Sequence, residues 1–147
     1  MDLATRFRKT MKGYSLRTGF TILIADRNPR VRDFLKREMI SEGYRVRLAR
    51  NGREVLQCVN SSEPPDLLIL DLDLPDVGQT AILEAVQERM PTVPVVVHTF
   101  LSEYLNHPPI LSNVALVEKE GSNIDSLKNV VLDVLRKSYP RRALPAT

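Results

Sequence analysis

The sequence predicts an α/β protein built as three layers, a doubly wound five-stranded parallel sheet with helices on both faces. Two observations lead there. From Thr21 onward, short apolar runs alternate with segments of helical period, five times over. The chain is 147 residues long, 43% apolar and 27% charged, which suits one globular domain able to bury its own core. Strand and helix alternation of this kind calls for right-handed crossovers, and it places function outside the carboxyl ends of the strands.

The first run, Thr21 to Ala25, is followed by Asn28 as a helix N-cap and Pro29 at the first helical position. Val31, Phe34, Leu35 and Met39 then recur at helical spacing until Gly43 stops the helix. The second run, Arg45 to Ala49, alternates polar and apolar residues, as a strand at a sheet edge does. A short helix from about Gly52 to Val59 turns Val55, Leu56 and Val59 inward, and Pro64 and Pro65 end the segment. Leu67 to Leu70 is uninterrupted and short, the mark of a central strand buried on both faces. Ile82, Leu83, Val86 and Met90 outline a third helix, closed by Pro91 and Pro94 before the fourth strand, Val95 to Val97. Leu101 and Leu105 allow a turn or two of helix, and Pro108 and Pro109 forbid a long one, so a fourth helix is short or irregular. Val114 to Val117 is the fifth strand. The last helix opens near Asn123 and turns Ile124, Leu127, Val130, Val131, Val134 and Leu135 to one face.

Composition removes several classes of function. Cys58 is the only cysteine, so neither a disulfide scaffold nor a cysteine-based zinc site is available. No apolar run is long enough to span a bilayer or to act as a secretory signal, and a reducing, cytoplasmic setting is expected. The net charge of +3 is unevenly spread. Residues 1–20 hold Arg6, Arg8, Lys9, Lys12 and Arg17 against Asp2 alone, and Arg141 and Arg142 lie in the tail. Residues 21–139 carry 14 basic and 17 acidic side chains, which disfavours a nucleic-acid-binding body. The expected division is a flexible basic extension over 1–20, the domain over 21–139 and a tail over 140–147.

Just past four of the five runs stand Asp26, Asp71, Thr99 and Lys119. Two acids, a hydroxyl and an amine at one rim reachable from solvent suit phosphoryl transfer to a carboxylate. The carboxylate acts as nucleophile, and cations offset the developing charge.

These residues also carry a resemblance. Ile22 to Asp26, Pro65 to Pro75 with Asp71-Leu-Asp73 inside it, Val95 to Thr99 and Leu116 to Lys119 resemble, in order, the landmarks of a response-regulator receiver domain over about residues 21–138. The resemblance implies the flavodoxin-like strand order 2-1-3-4-5. It implies Asp71 as phosphoacceptor, Thr99 as switch hydroxyl and Lys119 as the amine contacting phosphate. It also implies Mg2+ held by Asp26, Asp71 and the backbone carbonyl of Asp73. The partners implied are a histidine kinase or phosphotransfer protein and a downstream protein target, with no enzymatic activity beyond self-phosphorylation and self-dephosphorylation at Asp71. A stand-alone receiver without a DNA-binding domain of its own is expected.

The sequence departs from that pattern in four places. Arg27 stands where the family usually has the second acid of a pair. Two unit charges about 4 Å apart interact by roughly 4 kcal/mol at an effective dielectric near 20, and a dication doubles the repulsion. Arg27 therefore opposes the metal from inside the site, swings outward, or replaces the metal by pairing with Asp71 or a phosphate. Glu120 replaces the usual proline after the lysine, Val114 to Val117 contains no aromatic residue, and Pro108-Pro109 limits the helix that commonly joins the output surface.

Other readings of the same residues stand beside these. A binding module that works without phosphorylation, with Arg27 occupying the metal site, is the alternative function. Asp71-Leu-Asp73 also resembles the nucleophile motif of haloacid-dehalogenase-type phosphatases, although that motif normally follows the first strand of a longer chain. The loop Arg27-Asn-Pro-Arg30 offers no phosphate cradle for a flavin. Asp26 alone also reads as a cap at a helix start. His98 should point away from Thr99 as a packed imidazole, His107 beside two prolines should be solvated, and Cys58 should act as a small hydrophobe. Arg30, Arg32, Lys36 and Arg37 form a basic face on the first helix, solvated or docking an acidic partner.

Overall fold

The computed structural model describes residues 19–100, 114–119 and 123–142. Its elements run β1 (Thr21–Ala25), α1 (Pro29–Ser41), β2 (Arg45–Ala49), α2 (Gly52–Val59), β3 (Leu67–Leu70), α3 (Gln79–Glu88), β4 (Val95–Thr99), β5 (Val114–Glu118) and α4 (Ile124–Ser138). All strand pairings are parallel, and the sheet order is β2-β1-β3-β4-β5. The chain thus reverses its direction of progress between β2 and β3, leaving a crevice beyond the ends of β1 and β3. The expected irregular helix, with Leu101, Leu105, His107 and the Pro108-Pro109 pair, lies outside the described residues, as does Glu120.

Alternation along the central strands divides the core in two. Ile22, Ile24, Leu67, Ile69 and Val96 face Leu35 and Met39 of α1 and Leu127, Val131 and Leu135 of α4. Leu23, Ala25, Leu68, Leu70, Val95 and Val97 face Val55 and Val59 of α2 and Ile82, Leu83 and Val86 of α3. Each fully buried aliphatic side chain contributes about 1.5–3 kcal/mol of transfer free energy, so the two layers hold the strand ends in fixed register. Asn28 caps α1 as expected, and Asn51 and Asn123 likewise accept a backbone N–H in the first turn of α2 and α4.

Three expectations need correction. Met90 is not a core residue: α3 ends at Glu88, and Met90 is 86% exposed. The residue before a proline is pushed out of the helical region, and Pro91 does this to Met90. Phe34 is 41% exposed because Leu35 and Met39 take the sheet-facing direction and Phe34 sits at the margin of the stripe. On edge strand β2 the fully buried residue is Ala49, while Leu48 stays partly exposed. The packed body also reaches past the expected boundaries. Phe20 is buried in the core, and Arg142 stacks on Phe20 and Tyr139 while pairing with Asp66.

The loop after β3 is fastened to α2. Asp76 accepts the N–H groups of Gly52 and Arg53 at 2.7 and 3.1 Å, satisfying donors that the helix leaves open. A Cβ on Gly52 would lie 2.4 Å from the Val77 Cβ, so only glycine allows this approach. Gly52→Ala should therefore cost about 1–3 kcal/mol in chemical denaturation, as overpacking does, with the fold retained.

Candidate functional site

Three side chains, Asp26, Asp71 and Lys119, meet at one rim, and Thr99 ends the strand between β3 and β5. Asp26 follows β1, Asp71 follows β3, Thr99 is the last residue of β4 and Lys119 follows β5. β4 runs two residues further than its apolar run, so Thr99 is inside the sheet, and its carbonyl accepts the Lys119 N–H at 2.8 Å. The Asp71 N–H donates to the Ala25 carbonyl at 2.9 Å, which sets β3's exit beside β1's.

The Lys119 ammonium bridges the two acids, at 2.8 Å from Asp26 Oδ2 and 3.4 Å from Asp71 Oδ2. The other oxygen of each acid holds backbone. Asp26 Oδ1 accepts the Asn28 N–H at 2.8 Å, and Asp71 Oδ1 accepts the Asp73 N–H at 3.2 Å. Asp26 therefore steadies the turn into α1 and faces the Lys119 ammonium. Asp71 Oδ2 accepts no hydrogen bond among the described residues, and the Thr99 hydroxyl has no partner there either. A nucleophilic oxygen without a hydrogen bond, an amine within reach of it and an uncommitted hydroxyl suit the capture of a phosphoryl group.

Asp71 is less open than the sequence suggests. It is 3% exposed, and Asp26 is 1% exposed. The Lys119 ammonium stands 3.4 Å from Asp71 Oδ2.

Arg27 is turned outward. Its guanidinium pairs with Asp73 Oδ2 at 2.7 Å, and its side chain is 58% exposed. The two inward placements are thereby corrected: Arg27 does not occupy a metal position or hold Asp71, because the buried Lys119 is already the cation there and the Asp73 carboxylate offers the guanidinium a partner in water. The charge balance suits a hard cation. Two buried carboxylates face one buried ammonium, leaving a negative charge uncompensated among the described residues, and magnesium needs only one or two protein carboxylates. The described residues hold no cluster of three His, Cys, Asp or Glu side chains, so any such ion would rest on Asp26, Asp71 and backbone oxygen.

Several participants escaped the sequence reading. Asp73 acts through its carboxylate, Asp76 braces the loop from α2, and the Phe100 ring lies 5.3 Å beneath the Lys119 ammonium. Only Phe100, directly after Thr99, leaves a local signal. Arg32 is drawn from the basic face of α1 to the Asp26 carbonyl, whereas Arg30, Lys36 and Arg37 remain exposed. Cys58 packs against the core as a small hydrophobe.

His98 lies apart from Thr99, as strand alternation requires. It lines a cavity of about 270 Å³ with Val31, Phe34, Leu127 and Lys119. Burial pushes its pKa down to about 4, the Lys119 ammonium adds to this, and the Asp71 carboxylate opposes it. Among the described residues its buried Nδ1 has no hydrogen-bond partner.

Comparison with known proteins agrees with this geometry. A family model described as "Response regulator receiver domain" matches residues 22–111. The DNA-binding transcriptional regulator NtrC of Proteus hauseri is 32% identical over 82 residues, which are 56% of this chain and 17% of that protein. The CAI-1 autoinducer sensor kinase/phosphatase CqsS of Vibrio cholerae is 31% identical over 117 residues, 78% of this chain and 16% of that protein. The chain thus spans about a sixth of the length of these relatives. Among solved structures, the response regulator TrrA of Thermotoga maritima, in complex with Mg2+ and BeF, is 28% identical with a TM-score of 0.68, covering 78% of this chain and 98% of that one. The signal receiver domain of a LuxO repressor protein from Vibrio parahaemolyticus is 25% identical with a TM-score of 0.69, covering 84% and 93%.

Two outcomes follow from the buried charges. Lys119→Met, which leaves two buried carboxylates without their cation, should cost about 3–5 kcal/mol in urea denaturation at neutral pH. His98, neutral in the fold, protonates more readily in the unfolded chain, so its contribution is complete above about pH 6.5 and declines as the pH falls toward 4. The loss reaches at most about 3 kcal/mol, and His98→Leu should flatten stability between pH 6.5 and 5.

Proposed function

The chain belongs to the response regulator receiver domain family, and on that premise we propose that it accepts a phosphoryl group on Asp71 from a histidine kinase or a histidine phosphotransfer protein. It then signals, in the cytoplasm, through altered contacts with a downstream protein. The observation that carries this reading is the Asp71 Oδ2 atom, which accepts no hydrogen bond among the described residues and faces Lys119 at 3.4 Å.

In the transfer, Oδ2 attacks phosphorus. The bond from phosphorus to the donor's imidazole nitrogen breaks, and its electron pair stays on that nitrogen. The product is an acyl phosphate on Asp71. Lys119 binds the incoming phosphoryl oxygens and offsets their charge, and the Thr99 hydroxyl donates to one of them. Asp73 orients the nucleophile through its N–H on Oδ1. Asp26, Asp71 and the Asp73 carbonyl would hold magnesium, which when bound offsets charge on the phosphoryl oxygens. Receivers are signalling domains, and no turnover of a free substrate belongs to this reading.

The near-complete burial of Asp71 favours a second reading, a binding module that works without phosphorylation. In that case partner affinity is the same in wild type and Asp71→Ala, whereas the phosphoacceptor reading requires it to change on phosphorylation.

Incubation with Mg2+ and acetyl phosphate, followed by intact mass measurement, should show one added phosphoryl group in wild type and none in Asp71→Asn. No gain, or an equal gain in the variant, overturns the assignment.

A further inference from the structure

We propose that Arg27 is a phosphoryl-binding arm, parked on Asp73 at rest and turned onto the phosphoryl oxygens once Asp71 carries them. The proposal rests on the phosphoacceptor reading of Asp71 and adds to it a residue that the family pattern leaves without a role.

Three features of the site carry it. The first is position. Arg27 directly follows Asp26, and the Asp26 and Asp71 carboxylates both lie within 3.4 Å of one ammonium. Its resting partner is Asp73, whose own N–H holds Asp71 Oδ1. The arm is therefore tied to the residue that orients the nucleophile.

The second is the ease of release. The Arg27 and Asp73 side chains are 58% and 37% exposed, and an ion pair between exposed groups is weak and readily opened. A phosphoryl group presents three strong acceptor oxygens and more negative charge than a carboxylate, and the planar guanidinium matches it with two parallel N–H donors. Exchange of partner thus favours the phosphorylated site.

The third is the charge balance. Asp26 and Asp71 already outnumber the buried ammonium, and a phosphoryl group adds further negative charge. Among the described residues, Arg32 is committed to the Asp26 carbonyl, and Arg27 is the cation next to the rim whose present partner is solvent-exposed. Where related sites place a second acid, this chain places a cation that is neutralised by Asp73 before phosphorylation and is released for use after it.

The test measures beryllofluoride, a phosphoryl mimic, by fluorine NMR at saturating Mg2+, and Mg2+ alone by calorimetry, on wild type, Arg27→Ala, Arg27→Lys and Asp71→Asn. The two affinities should move in opposite directions in Arg27→Ala. Beryllofluoride should bind about tenfold more weakly, as expected when a hydrogen-bonded charge is removed. Mg2+ alone should bind more tightly, because a positive charge is gone and Asp73 is freed. Arg27→Lys should recover part of the beryllofluoride affinity. Unchanged or tighter beryllofluoride binding in Arg27→Ala, with wild type binding normally, overturns the arm and leaves the phosphoacceptor reading intact. Wild type that binds no beryllofluoride, or Asp71→Asn that binds it equally well, overturns both.

Discussion

A single ammonium between two carboxylates organises this molecule. Lys119 meets Asp26 and Asp71 in a setting where neither acid has more than a trace of exposure. A buried charge without a partner is costly, so the exits of β1, β3 and β5 are bound together by the need to keep Lys119 in place. The same ammonium faces Asp71 Oδ2, the oxygen proposed to accept the phosphoryl group. The interaction that stabilises the resting rim therefore also keeps a cation where the proposed transfer would build negative charge.

Around that centre, the acids hold backbone as well as charge. Asp26 fixes the turn into α1 through the Asn28 N–H, Asp73 donates its own N–H to Asp71, and Asp76 caps α2 across the loop. The segment after β3 is consequently anchored on both sides, by Arg27 on Asp73 and by the N-terminus of α2 on Asp76. This anchoring leaves Asp71 with Oδ1 held by backbone and Oδ2 without a hydrogen bond among the described residues.

Much of this was legible in the chain itself, for reasons that differ by feature. The strands were visible because central parallel strands are buried on both faces and read as uninterrupted apolar runs, as Leu67 to Leu70 does. Asn28, Pro29 and Gly43 marked the limits of α1 by local chemistry. The order of the strands is a long-range property, and it came from the resemblance rather than from any run. The meeting of Asp26, Asp71 and Lys119 was legible because each stands at a strand end. What stayed hidden depends on partners distant in sequence. Asp76 acts on Gly52, 24 residues earlier, and nothing near Asp76 marks it as a cap. The direction of Arg27 is set by the Asp73 carboxylate, whose partner no local pattern identifies. The burial of Asp71 depends on three-dimensional packing that no spacing encodes.

At the opposite end of the sheet, Asp66 gathers what the strand ends do not. Its carboxylate takes the Thr21 N–H and the Arg142 guanidinium, its carbonyl takes the Tyr139 hydroxyl, and Arg142 also reaches the Gly19 carbonyl. The polypeptide therefore enters and leaves the packed body at one doorway, secured by side chains rather than by a covalent link. A body with such closely joined ends can be spliced into a longer protein with little distortion, and the stretches of NtrC and CqsS that match this chain make up only about a sixth of those proteins.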